Sequence, residues 1–317
     1  MRRYVACAAL SLVRSTSQQV LALPSSAAQR SAAHAPIGVF DSGVGGLTVL
    51  RALVAALPHE DFVYLGDTAR LPYGTKSAAS IRRYALQAAA LLRERGVKCL
   101  VVACNTASAV ALDALAAEFA PVPVLGVVEP GAAAACAATR TGRIAVVATE
   151  STVRGGAYQA AISRCRPDAE VAARACPLFV ALAEEGWTDG PVVEAVIHRY
   201  LDDLFGGAGA ALPDTLVLGC THFPVLAPAI RAVLGERVSI VDSAETTAAA
   251  LVGVLGGAGL RRLAAGPRGT IRLLATDSAE RFARVGGTFL GHPLQVADVE
   301  VVDLQPAGPS GPGPASR

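Results

Sequence analysis

The chain has 317 residues, of which 52% are hydrophobic, 17% charged and 5% aromatic, with a formal net charge of +2. That length is enough for a substantial core or two ordinary domains, and the near-balanced charge, without a dense basic run, argues against a nucleic-acid partner. Apolar runs around residues 97–104, 122–128, 144–148 and 215–220 are strand-sized, well below the roughly 18 residues of a spanning helix, so a soluble protein with no membrane partner is expected.

The chain opens with MRRYVACAALSLVRSTSQQV, basic and rich in small residues. Residues 1–36 hold four arginines and no Asp or Glu, so their removal takes the formal charge from +2 to −2. The positive start imitates a targeting peptide, but Arg14 interrupts the apolar run early, and the segment reads as a disordered extension. IGVF at 37–40 then reads as a buried strand, DSGVGG as a glycine-rich turn, and LTVLRALVAAL as an apolar-periodic helix ending near Pro58. DFVYLGD is a short strand and TARLPYGTKS a loop. A long helix over about 79–95 follows, with Gly96 as its C-cap.

VKCLVVAC reads as the next strand and SAVALDALAAEF as the next helix. The pattern then restarts: PGAAAACAAT is a helix, TGRIAVVAT a strand, AYQAAISRC a helix and EVAARAC a short strand before PLFVALAEEG. VVEAVIHRYLDDLF, a further helix, leads to the strand DTLVLGC. Alternating β and α elements predict parallel sheets with helices on both faces. The tail QPAGPSGPGPASR has little to bury, so residues 304–317 are expected to be disordered.

The two halves share a faint repeat. CLVVACNTAS (99–108) and TLVLGCTHFP (215–224) each run a hydrophobic strand into a cysteine, while GVFDSG and VVATES each end a first strand on a polar side chain. Two similar α/β lobes facing each other would bring both cysteines to one cleft, because ligands of open α/β sheets bind beyond the carboxyl ends of the strands. The seven cysteines (Cys7, Cys99, Cys104, Cys136, Cys165, Cys176 and Cys220) include no CxxC pair, which suits a reducing compartment, with core packing the expected fate of most.

Several chemistries fit the residues at these strand ends. DSGVGG can turn backbone N–H groups toward an anion, and as it is neither GxGxxG nor GxxxxGK[ST] it suits a small carboxylate better than a nucleotide. Asp41 in this turn reads either as a helix N-cap or as a functional carboxylate. Cys104 reads either as a small buried hydrophobe or as a thiol whose pKa the helix N-terminus lowers, with Asn105 and Thr106 beside it. Cys220, Thr221 and His222 repeat the arrangement with a histidine added. Cys104, Cys220, His222 and Asp41 make a chemically acceptable zinc set. A Cys–His–Asp nucleophilic site explains one cysteine and leaves the other idle. Two opposed thiols explain both, since inversion at a carbon needs a base on one face and a proton donor on the other.

The segments GVFDSGVGGLTVL, YLGDTARLPYGTKS, ACNTASA, GVVEPG, ATESTV, ACPLFVALAEEG, LGCTHFP and VDSA together resemble the bacterial glutamate racemases, within the cofactor-independent aspartate/glutamate racemase superfamily. The resemblance spans roughly residues 37–303. It implies that Cys104 and Cys220 are the two catalytic cysteines and that Asp41 and His222 assist them. Those two, with Ser42, Tyr73, Gly74, Asn105, Thr106 and Thr221, would contact the substrate; Thr149, Thr152 and Glu184 match positions at or near the same cleft.

The implied fold is α/β with two similar lobes, each an open, mostly parallel sheet flanked by helices, and the active site between them. The lobes would be residues 37–130 plus 243–303, and 131–242. The implied chemistry is proton exchange at the α-carbon of glutamate without pyridoxal phosphate or any other cofactor, and without a metal. A homodimer in the bacterial cytoplasm, supplying D-glutamate for peptidoglycan, is implied as well. Racemisation of aspartate or another amino acid is the near alternative, with a thiol hydrolase or a non-catalytic amino-acid binding module further away.

Overall fold

The computed structural model describes residues 31–206, 212–262 and 267–304. Most of the N-terminal extension and of the C-terminal tail lies outside the described residues. Residues 31–34 form a helical turn, and Ala33 O accepts a 2.6 Å hydrogen bond from Lys98 Nζ.

All strand pairings among the described residues are parallel. One sheet contains β1 (Ile37–Asp41), β2 (Phe62–Gly66), β3 (Cys99–Val102), β4 (Val124–Gly126), β9 (Ile271–Ala275) and β10 (Val299–Val301), in the order β10-β9-β2-β1-β3-β4. The second contains β5 (Arg143–Ala148), β6 (Glu170–Ala175), β7 (Thr215–Gly219) and β8 (Ser239–Asp242), in the order β6-β5-β7-β8. The order β2-β1-β3-β4 in the first sheet is the order β6-β5-β7-β8 in the second, so the suspected repeat is a repeat of topology. This is the two-lobed α/β architecture expected from the sequence.

The central strands are uninterrupted apolar runs because both their faces are covered. On one face of the first sheet lie α1 (Leu47–Ala56), α10 (Ser243–Gly257) and α11 (Ala279–Leu290), packed through Leu47, Leu50, Leu251 and Phe282. The other face carries α2 (Ala78–Glu94) and α3 (Asn105–Phe119) through Ile81, Ala85, Leu92, Ala111 and Leu115. Each fully buried large side chain contributes roughly 1.5–3 kcal/mol. α2 begins where Ser77 accepts from Ser80 N and ends beside Gly96 at φ +70, as expected from the sequence.

The second sheet is covered by α7 (Pro177–Glu184), α8 (Pro191–Phe205) and α9 (Ala227–Leu234) on one side. α4 (Val128–Ala138) and α6 (Ala157–Cys165) cover the other, and the short α5 (Glu150–Gly155) follows β5. After β8 the chain returns to the first sheet, where α10 packs on α1. Cys99 and Cys176 are core residues as expected, whereas Cys136 is half-buried and Cys165 exposed. No helix among the described residues is long and apolar enough to cross a membrane.

Candidate active site

β2 and β3 flank β1 on opposite sides, so the chain leaves the end of β1 in one direction and returns from the other. That divergence opens a crevice at the carboxyl ends of β1 and β3, the place where parallel α/β sheets bind ligands. Asp41 ends β1, and Cys104 lies two residues beyond β3. In the second sheet β6 and β7 flank β5 in the same way, with Thr149 directly after β5 and Cys220 directly after β7. The two crevices face one another, close enough for the charge of Cys220 to act on Cys104.

Cys104 is the N-cap of α3, its sulfur accepting from Ala107 N at 3.4 Å, and its S–H donates to Ser42 Oγ at 3.4 Å. From sequence this position fitted either a small buried hydrophobe or a thiol lowered by the helix N-terminus. In the folded protein burial, then the charge of Asp41, pushes it up to about 12 despite its hydrogen bonds with Ser42 and Ala107. Asp41 is fully buried; burial raises its carboxyl, against the pull of His222 and of the N–H groups of Gly46, Gly43 and Ser42. The glycine-rich turn therefore closes around its own carboxylate: Gly43 N–H donates to Asp41 Oδ2 at 2.9 Å. It does not present these amides to an outside anion, and the N-cap of α1 is Gly46, not Asp41.

On the opposite side His222 Nδ1 lies 3.8 Å from Cys220 Sγ and Nε2 lies 3.1 Å from Glu184 Oε1. Glu184 Oε2 in turn accepts from Arg281 Nη2 at 2.7 Å. The carboxylate that orients His222 is thus Glu184, and Asp41 acts on the ring only through its charge, which corrects the Cys–His–Asp arrangement considered from sequence. Thr221 Oγ1 donates to Asp41 Oδ1 at 3.5 Å, joining the two halves.

Thr106 Oγ1 is 2.9 Å from Thr149 Oγ1 and 3.3 Å from Thr152 Oγ1, so these three hydroxyls form one cluster across the cleft. Asn105 Nδ2 donates to Tyr158 OH at 2.8 Å and Ser243 Oγ at 3.0 Å, while its buried Oδ1 has no hydrogen-bond partner. Tyr73 donates its buried hydroxyl to Asp67, yet it packs in the same buried cluster as Cys104, close enough for the charge of that thiol to act on it. Gly74 beside it meets the second lobe, since a Cβ there would lie 2.7 Å from Thr149 Cβ. Cys104 is 4% and Cys220 6% exposed, so the structure is of a closed site. Among the described residues no group of three His, Cys, Asp or Glu is placed to hold a metal ion.

A family model described as Asp/Glu/Hydantoin racemase matches residues 37–251. The glutamate racemase of Geobacter metallireducens is 51% identical over 269 residues, covering 85% of this chain and 97% of its own length. The chain belongs to the glutamate racemase family. Among solved structures, the Thermus thermophilus glutamate racemase in complex with beta-chloro-D-alanine matches with a TM-score of 0.76 at 45% identity, over 86% of this chain and 98% of that one. The Francisella tularensis glutamate racemase in complex with D-glutamate matches with a TM-score of 0.77 at 36% identity and the same coverage.

The structure also places at this cleft several residues that sequence reasoning missed. Tyr158 and Ser243 hold Asn105; Asp67 holds Tyr73; Thr48 Oγ1 lies 2.9 Å from Gly45 O and 3.0 Å from Thr221 O and shares its one proton between them. Ser243 lies within VDSA, a quoted family-like segment, so that signal was available; Tyr158 sits in an ordinary amphipathic helix and carried none.

Glycines at this cleft make room for contact between the lobes. A Cβ on Gly45 would stand 2.5 Å from both His222 Nδ1 and Thr221 Oγ1, closer than real atoms approach. Gly45→Ala is expected to push the Cys220 half away and lower the racemase kcat/KM by roughly 10- to 100-fold, since small displacements of reacting groups have effects of that order. Steady-state kinetics on the folded variant checks this.

His222 also ties the site to pH. Burial opposes its charge, but the bonds to Cys220 and Glu184 and the charges of Cys220 and Asp41 outweigh that and push the imidazole up to about 10. A group raised on folding stabilises the protein fully below its unfolded pKa of about 6.5, and that contribution fades as pH climbs toward the folded value. The melting temperature is expected to fall from pH 6.5 to 10 more steeply in the wild type than in His222→Asn. Parallel slopes in a scanning-fluorimetry series would contradict the assignment.

Proposed function

We propose that this chain interconverts L- and D-glutamate by a two-base proton transfer between Cys104 and Cys220. One observation carries the proposal: thiols stand at equivalent strand ends of a repeated topology, close enough for their charges to interact, each with its own proton partners. A single-cysteine hydrolase would have no use for the second thiol.

In the L-to-D direction Cys220, as a thiolate, takes the α-proton of L-glutamate while Cys104, kept protonated by its buried surroundings, delivers its own proton to the opposite face. The C–H bond breaks toward Cys220, the new one forms from Cys104, and the roles exchange in reverse. His222, fixed by Glu184, is the proton partner of Cys220, and Asp41 and Ser42 serve Cys104. Ser42, Asn105, Thr106 and Thr221, with the backbone at Tyr73 and Gly74, are proposed to hold the substrate's polar groups as charge builds on the α-carbon. The buried site requires the lobes to part for entry and to close for reaction.

The substrate assignment follows the relatives' names, and the product would serve peptidoglycan precursor synthesis in the cytoplasm, with a second copy of the chain as partner. Chiral chromatography of purified protein incubated separately with L-glutamate and L-aspartate tests it. Inversion of glutamate well above aspartate is expected; inversion of aspartate alone would overturn the substrate and keep the reaction class. Light scattering would read the dimer.

A further inference from the structure

The helix α11 belongs to the first lobe, where Ala279, Phe282, Val285 and Phe289 join its core, yet two of its side chains hold a residue of the second lobe. Phe289 meets the His222 ring edge to face, centroids 5.1 Å apart. Arg281 bonds Glu184, at the end of the second-lobe helix α7, whose other oxygen bonds His222. The Arg281–Glu184–His222–Cys220 chain therefore runs from the outside of one lobe to the reacting sulfur of the other. Glu184 is largely buried while Arg281 is 47% exposed. A cavity of about 70 Å³, lined by Val44, Leu71, Glu184, Ser278, Arg281 and Phe282, lies at this junction beside the glycine-rich turn.

The start of α11 is held in place with care. Ser278, its N-cap, sits at φ +46, a region that residues other than glycine rarely adopt, and its side chain accepts from Arg281 N at 3.3 Å. The turn before it is pinned to the loop after β2: Thr68 Oγ1 donates to Asp277 O at 2.7 Å and Asp277 N–H donates to Thr68 Oγ1 at 2.9 Å. Thr276 Oγ1 donates to Asp67 Oδ1 at 3.0 Å, on the carboxylate that also holds Tyr73. A strained cap on a pinned turn is what aims Arg281 at Glu184.

We propose that the Arg281–Glu184 ion pair is a latch between the lobes, and that Arg281 is a positioning residue that, through Glu184, keeps His222 behind Cys220. Breaking it lets the closed site open more often and leaves His222 without a fixed carboxylate. Only the catalytic consequence rests on the two-thiol reading; the latch itself is read without turnover.

The test is alkylation of substrate-free protein with iodoacetamide, with the rates at Cys104 and Cys220 resolved by peptide mass mapping. Arg281→Gln is expected to raise both rates roughly three- to fivefold, the scale of a partly exposed ion pair. Glu184→Gln should do the same, the double variant should add nothing further, and Arg281→Lys, which keeps the cation, should lie nearer the wild type. In the racemase assay Arg281→Gln should lower kcat severalfold with KM near the wild-type value, again with partial rescue by lysine. Unchanged alkylation in Arg281→Gln, or rate increases that multiply in the double variant, would overturn the latch even if kcat falls. A protein inactive on glutamate but with the expected alkylation pattern would sink the substrate reading and keep the latch.

Discussion

Cys104→Ala and Cys220→Ala are each expected to lower racemisation of glutamate by about 10³-fold or more, near the upper range of a general acid or base contribution. Neither thiol can replace the other, because they attend opposite faces of the same carbon. Since the two enantiomers have equal free energy, kcat/KM must fall equally in both directions, whichever cysteine is lost. Each single variant keeps one base, so Cys104→Ala retains a permitted residual reaction: Cys220 can still exchange the α-proton of L-glutamate with solvent without inverting it. A hydrolase built on Cys220 alone would instead be indifferent to Cys104. Polarimetry with both enantiomers, beside circular dichroism to show the fold intact, reads this outcome. Appreciable inversion by either variant would contradict the two-thiol assignment.

Glu60→Ala is expected to cost about 3–5 kcal/mol of stability without touching the site, the usual effect of stripping one partner from a buried ion pair. Lys98 precedes β3 and Glu60 precedes β2, and both side chains are 2% exposed. Lys98 Nζ donates to Glu60 and to Ala33 O, while Glu60 Oε1 accepts from Arg262 N at 2.7 Å. Removing the carboxylate leaves an ammonium with one carbonyl partner and strands the Arg262 amide. Against a typical total of about 5–15 kcal/mol the loss is large. Burial already lowers the Lys98 pKa despite the bond and charge of Glu60, so without Glu60 the penalty should grow as pH falls and the lysine is forced to charge. Urea denaturation measures it, and a Lys98→Met, Glu60→Gln double variant, which keeps an acceptor for Arg262, should recover most of the loss. A single variant as stable as the wild type would show that this pair does not hold the base of the sheet.

What could be read from the sequence was the part governed by local pattern. The buried strands 37–41, 99–102 and 215–219 are apolar runs cut off by Asp41, Cys104 and Cys220, so the pattern that gives the strands also marks their functional ends. α3 starts at Asn105, earlier than the apolar periodicity from Ser108 suggests, because the Cys104 sulfur caps it. The region after Asp242 was assigned to the first lobe only by resemblance, for physical reasons. β9 begins with the exposed residues Ile271 and Arg272, β10 has three residues, and Gly286–Gly287 inside α11 reads as a helix breaker. Gly286 is there because a Cβ would stand 2.8 Å from Leu47 Cδ1, a long-range constraint invisible in a local window. The same holds for the pairing of Glu184 with Arg281 and for the upward shift of Cys104, where burial in the assembled fold outweighs the helix terminus.

The most direct test of the central claim is the fate of the α-proton in the first turnovers. Reduced, metal-free protein is incubated with L-glutamate in D2O, and both enantiomers are separated and weighed by mass spectrometry before equilibrium is approached. Two opposed thiols predict D-glutamate carrying one α-deuterium while the recovered L-glutamate remains largely unlabelled, because the base that removes the proton is not the acid that returns one. D-glutamate that keeps its original proton, or no inversion by folded protein, would contradict the account.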